Sequence, residues 1–193
     1  PEGEHSAQSG AMGAALTGGK YISNASSSQG VLYALESHYV TVGKRAGGFV
    51  LQVASRVVSR HSLNVMGGHD DVYSLLPAGY TIFFGATPEE AADLALISFR
   101  TSALSLIPVA NCMDGFSTSH MLSEARLPED DLVREYLGDP TCRIKCPTVA
   151  QEILYGDAQG MRQLVPSLVD TDNPGMSGAV QNQPDFQSGV ADS

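Results

Sequence analysis

A chain of 193 residues with a formal net charge of −10, set by 21 acidic against 11 basic residues, has no basic stripe with which to neutralise phosphates, which excludes a nucleic-acid binder. Its apolar runs fall short of the roughly 20 residues that span a bilayer, and its three cysteines make no disulfide framework, so a reducing, cytoplasmic setting is expected. The length suits an α/β fold with a real core.

The chain opens at Pro1 and is in a helical pattern by Glu4, so we expect a piece whose first strand–helix unit lies outside the given sequence. Glu4 to Leu16 predicts a helix of small residues, ended by Gly18-Gly19. Lys20 to Asn24 predicts a short strand. The hydroxyls of Ala25 to Gly30 are placed to cap the next helix, and such a helix start also accepts polar or anionic ligands. Val31, Leu32, Leu35, Tyr39 and Val42 recur at helical steps and predict a helix over 31–42. Phe49 to Ala54 reads as a buried strand, followed at once by Ser55 and Arg56. Asp70 to Leu76 predicts a short helix, Tyr80 to Gly85 a strand, and Thr87-Pro88-Glu89-Glu90 a capping box opening a helix to about Leu104. Leu106 to Cys112 is the next strand and Pro128 to Leu137 a further helix. From Gly138 onward periodicity fades, which predicts an extended arm over a neighbour or partial disorder. The rhythm implies a mainly parallel sheet with helices on both faces over residues 1–120, and a C-terminal extension over 121–193.

In such sheets ligands sit at the carboxyl ends of the strands. Arg56 stands there, either as a bidentate grip on a substrate carboxylate or as the partner of a nearby Asp or Glu. Glu4 reads either as a first-turn helix acid or as a carboxyl for proton transfer. His61, His69, Asp70, Asp71 and His120 include metal-ligand types, but no spacing shows that they converge, and His69-Asp70-Asp71 suits a helix start. Asp114, Ser119 and His120 allow a catalytic triad on paper, without the G-x-S-x-G elbow. Cys142 and Cys146 form a CxxxC that lacks further soft ligands, and Gly18-Gly19-Lys20 lacks the rest of a P-loop. No metal site is therefore assigned.

Several stretches in order resemble one family. They are Glu4-His5 with the following GAMGAALTGG helix, Ser27-Ser28-Gln29-Gly30, Val53-Ala54-Ser55-Arg56, Gly68-His69-Asp70-Asp71, and Asp114-Gly115-Phe116 with Thr118-Ser119-His120. Together they are similar to the 2-oxoacid oxidoreductases of the pyruvate:ferredoxin (flavodoxin) oxidoreductase type, over about Glu4 to His120 with an echo at Ala179 to Asp185. The match is to the module that holds the pyrimidine end of thiamine diphosphate. The resemblance implies that Glu4 hydrogen-bonds the aminopyrimidine ring and helps activate the cofactor, that Arg56 grips the 2-oxoacid carboxylate, and that Ser28 and Gln29 lie in the cofactor loop.

It further implies a diphosphate-binding domain or subunit as partner, magnesium and iron–sulfur clusters on other domains or subunits, ferredoxin or flavodoxin as electron acceptor, coenzyme A as acyl acceptor, and an oligomer. The family's Tyr-Pro-Ile-Thr-Pro segment, Gly-Asp-Gly motif and Cys-rich ferredoxin pattern are not in this sequence, so the chain is not expected to turn over alone. The alternative is a non-catalytic docking or scaffold domain that keeps the fold.

Overall fold

The structure is a computed structural model that describes residues 1–167 and Pro184. Helix α1 (Glu4–Leu16) occupies the predicted span. It is followed by strand β1 (Ile22–Ser26), helices α2 (Gln29–Tyr33) and α3 (Leu35–Gly43), and strand β2 (Phe49–Ser55). Next come α4 (Asp70–Leu75), a short 3-10 turn over Leu76–Ala78, β3 (Thr81–Gly85), α5 (Pro88–Ser105) and β4 (Val109–Asp114). The four strands form one parallel sheet in the order β1-β2-β4-β3. Parallel pairing brings Ser26, Ser55, Gly85 and Asp114 to a common carboxyl edge.

Residues alternate faces along a strand, and each face has its own cover. Phe49, Leu51 and Val53 pack with Ala110 and Cys112 against Ala15 of α1 and Val72 and Leu75 of α4. Each large aliphatic or aromatic side chain buried there contributes about 1.5–3 kcal/mol. Burial also pushes the Cys112 thiol up to about 12, so it is a neutral core group. Asn111 points the other way, donating to Gln52 Oε1 at 2.8 Å and to Ala91 O of α5 at 3.0 Å. Helices thus cover both faces, as the strand–helix rhythm predicts.

Four expectations shift. Strand β1 lies two residues later than predicted, because its register is set by pairing Ile22 with Phe49 through Ser26 with Val53. Lys20 is instead drawn to Val165 O at 2.8 Å and Gln163 Oε1 at 3.0 Å. The single helix over 31–42 is two helices meeting at Ala34. Their inward face is Val31, Ala34, Ser37, His38 and Thr41, while Leu32, Tyr33, Tyr39 and Val40 are exposed. The apolar stripe misled because the buried face is polar: Gln8 donates to Thr41 Oγ1 at 3.0 Å and to the Tyr80 hydroxyl at 3.4 Å, and His38 Nδ1 lies 3.1 Å from that hydroxyl. Strand β4 starts late because Leu106 takes a left-handed conformation (φ 57°) that closes α5.

The largest difference is the region from Gly138. Over 138–167 it is folded rather than extended. After helix α6 (Asp130–Leu137), within the predicted 128–137 span, come strand β5 (Arg143–Lys145), helix α7 (Val149–Tyr155) and strand β6 (Met161–Gln163), with β5 and β6 antiparallel. Leu164 and Val165 are fully buried, packed with Ala103 of α5, Tyr21 and Ile144. The sequence echo at Ala179 to Asp185 lies outside the described residues, Pro184 apart. No helix among the described residues is long and apolar enough to cross a membrane.

Candidate functional site

The carboxyl edge of β1 and β2 gathers the four residues singled out from the sequence. Glu4, in the first turn of α1, is exposed, and its side chain lies against Gly30 at the start of α2. A Cβ at Gly30 would come within 2.7 Å of both Glu4 Cγ and Ser26 Oγ, so glycine is what permits this approach. Ser26 Oγ is buried and has no hydrogen-bond partner among the described residues.

Ser28 is almost fully buried and holds a backbone conformation (φ 49°, ψ −121°) that side-chain-bearing residues rarely adopt, costing about 1–3 kcal/mol. Two bonds hold it: its N–H donates to Asp71 Oδ2 at 2.7 Å and its hydroxyl to Val57 O at 2.7 Å. The same hydroxyl also contacts Gln29 Oε1, leaving Gln29 exposed beside it. The serines do not cap α2 as expected. Ser27 Oγ reaches across to Ala54 O at 2.6 Å, so the loop is laced to the end of β2 instead.

Arg56 follows β2 directly and is half-buried. Its stem crosses Gly115, where a Cβ would collide with Arg56 Cγ. Arg56 makes no ion pair with a described carboxylate, and its buried Nε has no hydrogen-bond partner among the described residues. The alternative of a structural ion pair is therefore not what this geometry contains. An unpaired buried donor on a guanidinium is costly, and a carboxylate is its natural complement.

The acids after Gly68 stand in the first turn of α4 as expected, and Asp71 Oδ1 accepts from Val72 N there at 2.8 Å. His69 is the cap residue and makes no side-chain cap bond. Asp70 accepts from Val58 N at 3.2 Å and pairs with exposed Arg60 at 3.4 Å. Asp71 is completely buried and ties the β1 and β2 loops together. The sequence reading missed it because an acid at a helix start already has a sufficient local explanation. Its place just after a glycine pair and beside a strand end was the available signal.

The other constellations do not assemble. Among the described residues no three His, Cys, Asp or Glu side chains converge on a metal position. Ser119 Oγ accepts from Phe116 N at 3.0 Å and His120 stacks on Phe116, so no triad forms. Cys142 is exposed and Cys146 buried, on either side of β5, and all three cysteines are free.

The site therefore offers the carboxylate of Glu4 from α1 beside an unpartnered serine hydroxyl and an unpartnered guanidinium N–H at adjacent strand ends. That donor set fits the polar edge of an aminopyrimidine and a small carboxylate better than a metal ion. The chain is 34% identical over 123 residues to a probable pyruvate-flavodoxin oxidoreductase of Escherichia coli, covering 64% of this chain and 10% of that protein. It is 31% identical over 139 residues to pyruvate synthase subunit PorA of Methanocaldococcus jannaschii, covering 71% of this chain and 35% of the relative. A pyruvate-flavodoxin oxidoreductase of Nostoc sp. (strain ATCC 29151 / PCC 7119) is 34% identical over 118 residues, 61% of this chain and 29% of its own. The chain thus spans between a tenth and about a third of these relatives. The pattern of one family matches residues 1–179, and the chain belongs to that family, the thiamine diphosphate-binding domain of pyruvate flavodoxin/ferredoxin oxidoreductases.

Proposed function

We propose that this chain supplies the pyrimidine-binding half of a thiamine diphosphate site in an enzyme that oxidatively decarboxylates pyruvate or a similar 2-oxoacid. The observation that carries the reading is that Glu4, from the first turn of α1, lies against Gly30 and Ser26 at the end of β1 while Arg56 follows the end of the neighbouring β2, with Ser26 Oγ and Arg56 Nε buried and unpartnered among the described residues. When bound, thiamine diphosphate supplies the carbon nucleophile and the electron sink for decarboxylation. Glu4 would hold the aminopyrimidine ring and exchange a proton with it. Ser28 and Gln29 would line the cofactor loop, and Arg56 would orient the 2-oxoacid by its carboxylate.

The remaining parts belong to other domains or subunits: the diphosphate and magnesium site, the iron–sulfur clusters, and contacts to ferredoxin or flavodoxin and to coenzyme A. Exposure of Glu4 on this chain supports a site completed by such a partner, and hence an oligomer or multidomain enzyme. A docking or scaffold domain gives the unpartnered donors no role.

The test is Glu4→Gln in the complete oxidoreductase. Loss of a positioned proton-transfer group should cut turnover by roughly 100-fold or more while the protein stays folded. Near-normal turnover would remove Glu4 from the chemistry.

A further inference from the structure

Asp71 stands out as a buried charge that no sequence argument assigns to the reaction. It is fully buried, yet no Lys or Arg side chain pairs with it among the described residues. Its Oδ2 accepts from Ser28 N at 2.7 Å and Arg56 N at 3.0 Å, its Oδ1 accepts from Val72 N at 2.8 Å, and Ser55 Oγ lies 2.8 Å from Oδ1 with its single proton shared with Gly68 O. Three backbone N–H groups and a shared hydroxyl proton meet the two oxygens of the carboxylate. An asparagine could meet these donors with only one oxygen and would turn an amide N–H toward the rest. The arrangement therefore calls for an acid rather than for any polar residue of that shape.

The groups around Asp71 are not a random set. One is the backbone of the strained Ser28 in the loop after β1; two belong to Ser55 and Arg56 at the end of β2. A single carboxylate oxygen thus fixes the spacing between the loop facing Glu4 and the strand end carrying the guanidinium. We infer that Asp71 is the positioning residue that sets Arg56 for its carboxylate, acting through the Ser28 and Arg56 backbone N–H groups. The inference rests on the reading of Arg56 as the 2-oxoacid clamp.

The experiment is a double-mutant cycle in the complete oxidoreductase, with pyruvate saturation curves and thermal unfolding for wild type, Asp71→Asn, Arg56→Ala and the double variant. Asp71→Asn should lower kcat/KM for pyruvate by roughly 10- to 100-fold, the scale of a reacting group displaced by about 1 Å. The loss should fall mainly on KM, and the double variant should be no worse than Arg56→Ala, because a misplaced guanidinium cannot be lost twice. If Asp71→Asn does not fold, Ser55→Ala removes the hydroxyl beside Oδ1 and enters the same cycle. An unchanged KM in Arg56→Ala would overturn the clamp itself. A raised KM in Arg56→Ala with losses that simply multiply in the double variant would overturn only the role of Asp71. Failure of both Asp71→Asn and Ser55→Ala to fold would mark Asp71 as purely structural and overturn the inference as well.

Discussion

Arg162, in β6 of the two-stranded sheet, and Arg56, just past the carboxyl end of β2 in the four-stranded sheet, differ in kind in their surroundings. Arg162 is 3% exposed, and its donors are spread over five oxygens: Gln151 Oε1 and the carbonyls of Ala103, Leu104, Gln163 and Leu164, at 2.8–3.1 Å. It closes the carbonyl end of α5, where a cation suits the helix dipole, and so docks β6 and α7 against α5. Burial pulls its pKa below the ordinary guanidinium value. Arg56 has a buried Nε with no described partner and no ion pair. A guanidinium whose five N–H groups are all spent holds a fold together, whereas one with a donor in reserve is available to a ligand.

The contrast can be broken most severely at Arg162. Arg162→Met leaves several buried carbonyls without donors and should cost at least about 3 kcal/mol, read as a lowered denaturation midpoint. Pyruvate KM should hardly move while the protein stays folded, since Arg162 bonds only the fold's own oxygens; a large KM effect with unchanged stability would reverse the roles of the two arginines. Arg56→Lys sharpens the comparison from the other side. It keeps the charge but loses the planar fork, so kcat/KM should fall by roughly 10-fold or more with unfolding unaltered. Wild-type kinetics in that variant would show that charge alone suffices.

Gly30→Ala should cost about 1–3 kcal/mol of crowding against Glu4 and Ser26, felt more in cofactor affinity than in the unfolding midpoint. A smaller effect concerns pH. Burial pulls His38 down to about 4 from 6.5, and its Nε2 has no described partner. The unfolded chain therefore binds the proton first, so stability falls as pH drops from about 6.5 toward 4, by up to about 1.4 kcal/mol per pH unit from this group, and is unaffected above it. His38→Gln should flatten that slope in pH-dependent denaturation; an unchanged slope would assign it to other groups.

The helix–strand order, α1, the Thr87 cap and the placement of Arg56 at a strand end were legible in the sequence, because each rests on local signals of period, capping and run length. Glu90 N donates to Thr87 Oγ1 at 3.2 Å and Glu90 Oε2 accepts from Ala86 N at 2.7 Å, a slight variant of the predicted box. The polar face of α2 and α3 was not legible, since Gln8, His38, Thr41 and Tyr80 find each other only in three dimensions. Nor was the folding of 138–167, whose anchor is one arginine meeting carbonyls some sixty residues earlier. Asp71 escaped for the same reason: its partners lie on three separate segments.

The most direct test is to measure pyruvate saturation and thermal unfolding together in the Arg56→Ala enzyme. The account predicts a KM raised roughly 100-fold with an unfolding midpoint close to wild type. An unchanged KM, or a stability loss like that of Arg162→Met, would contradict it.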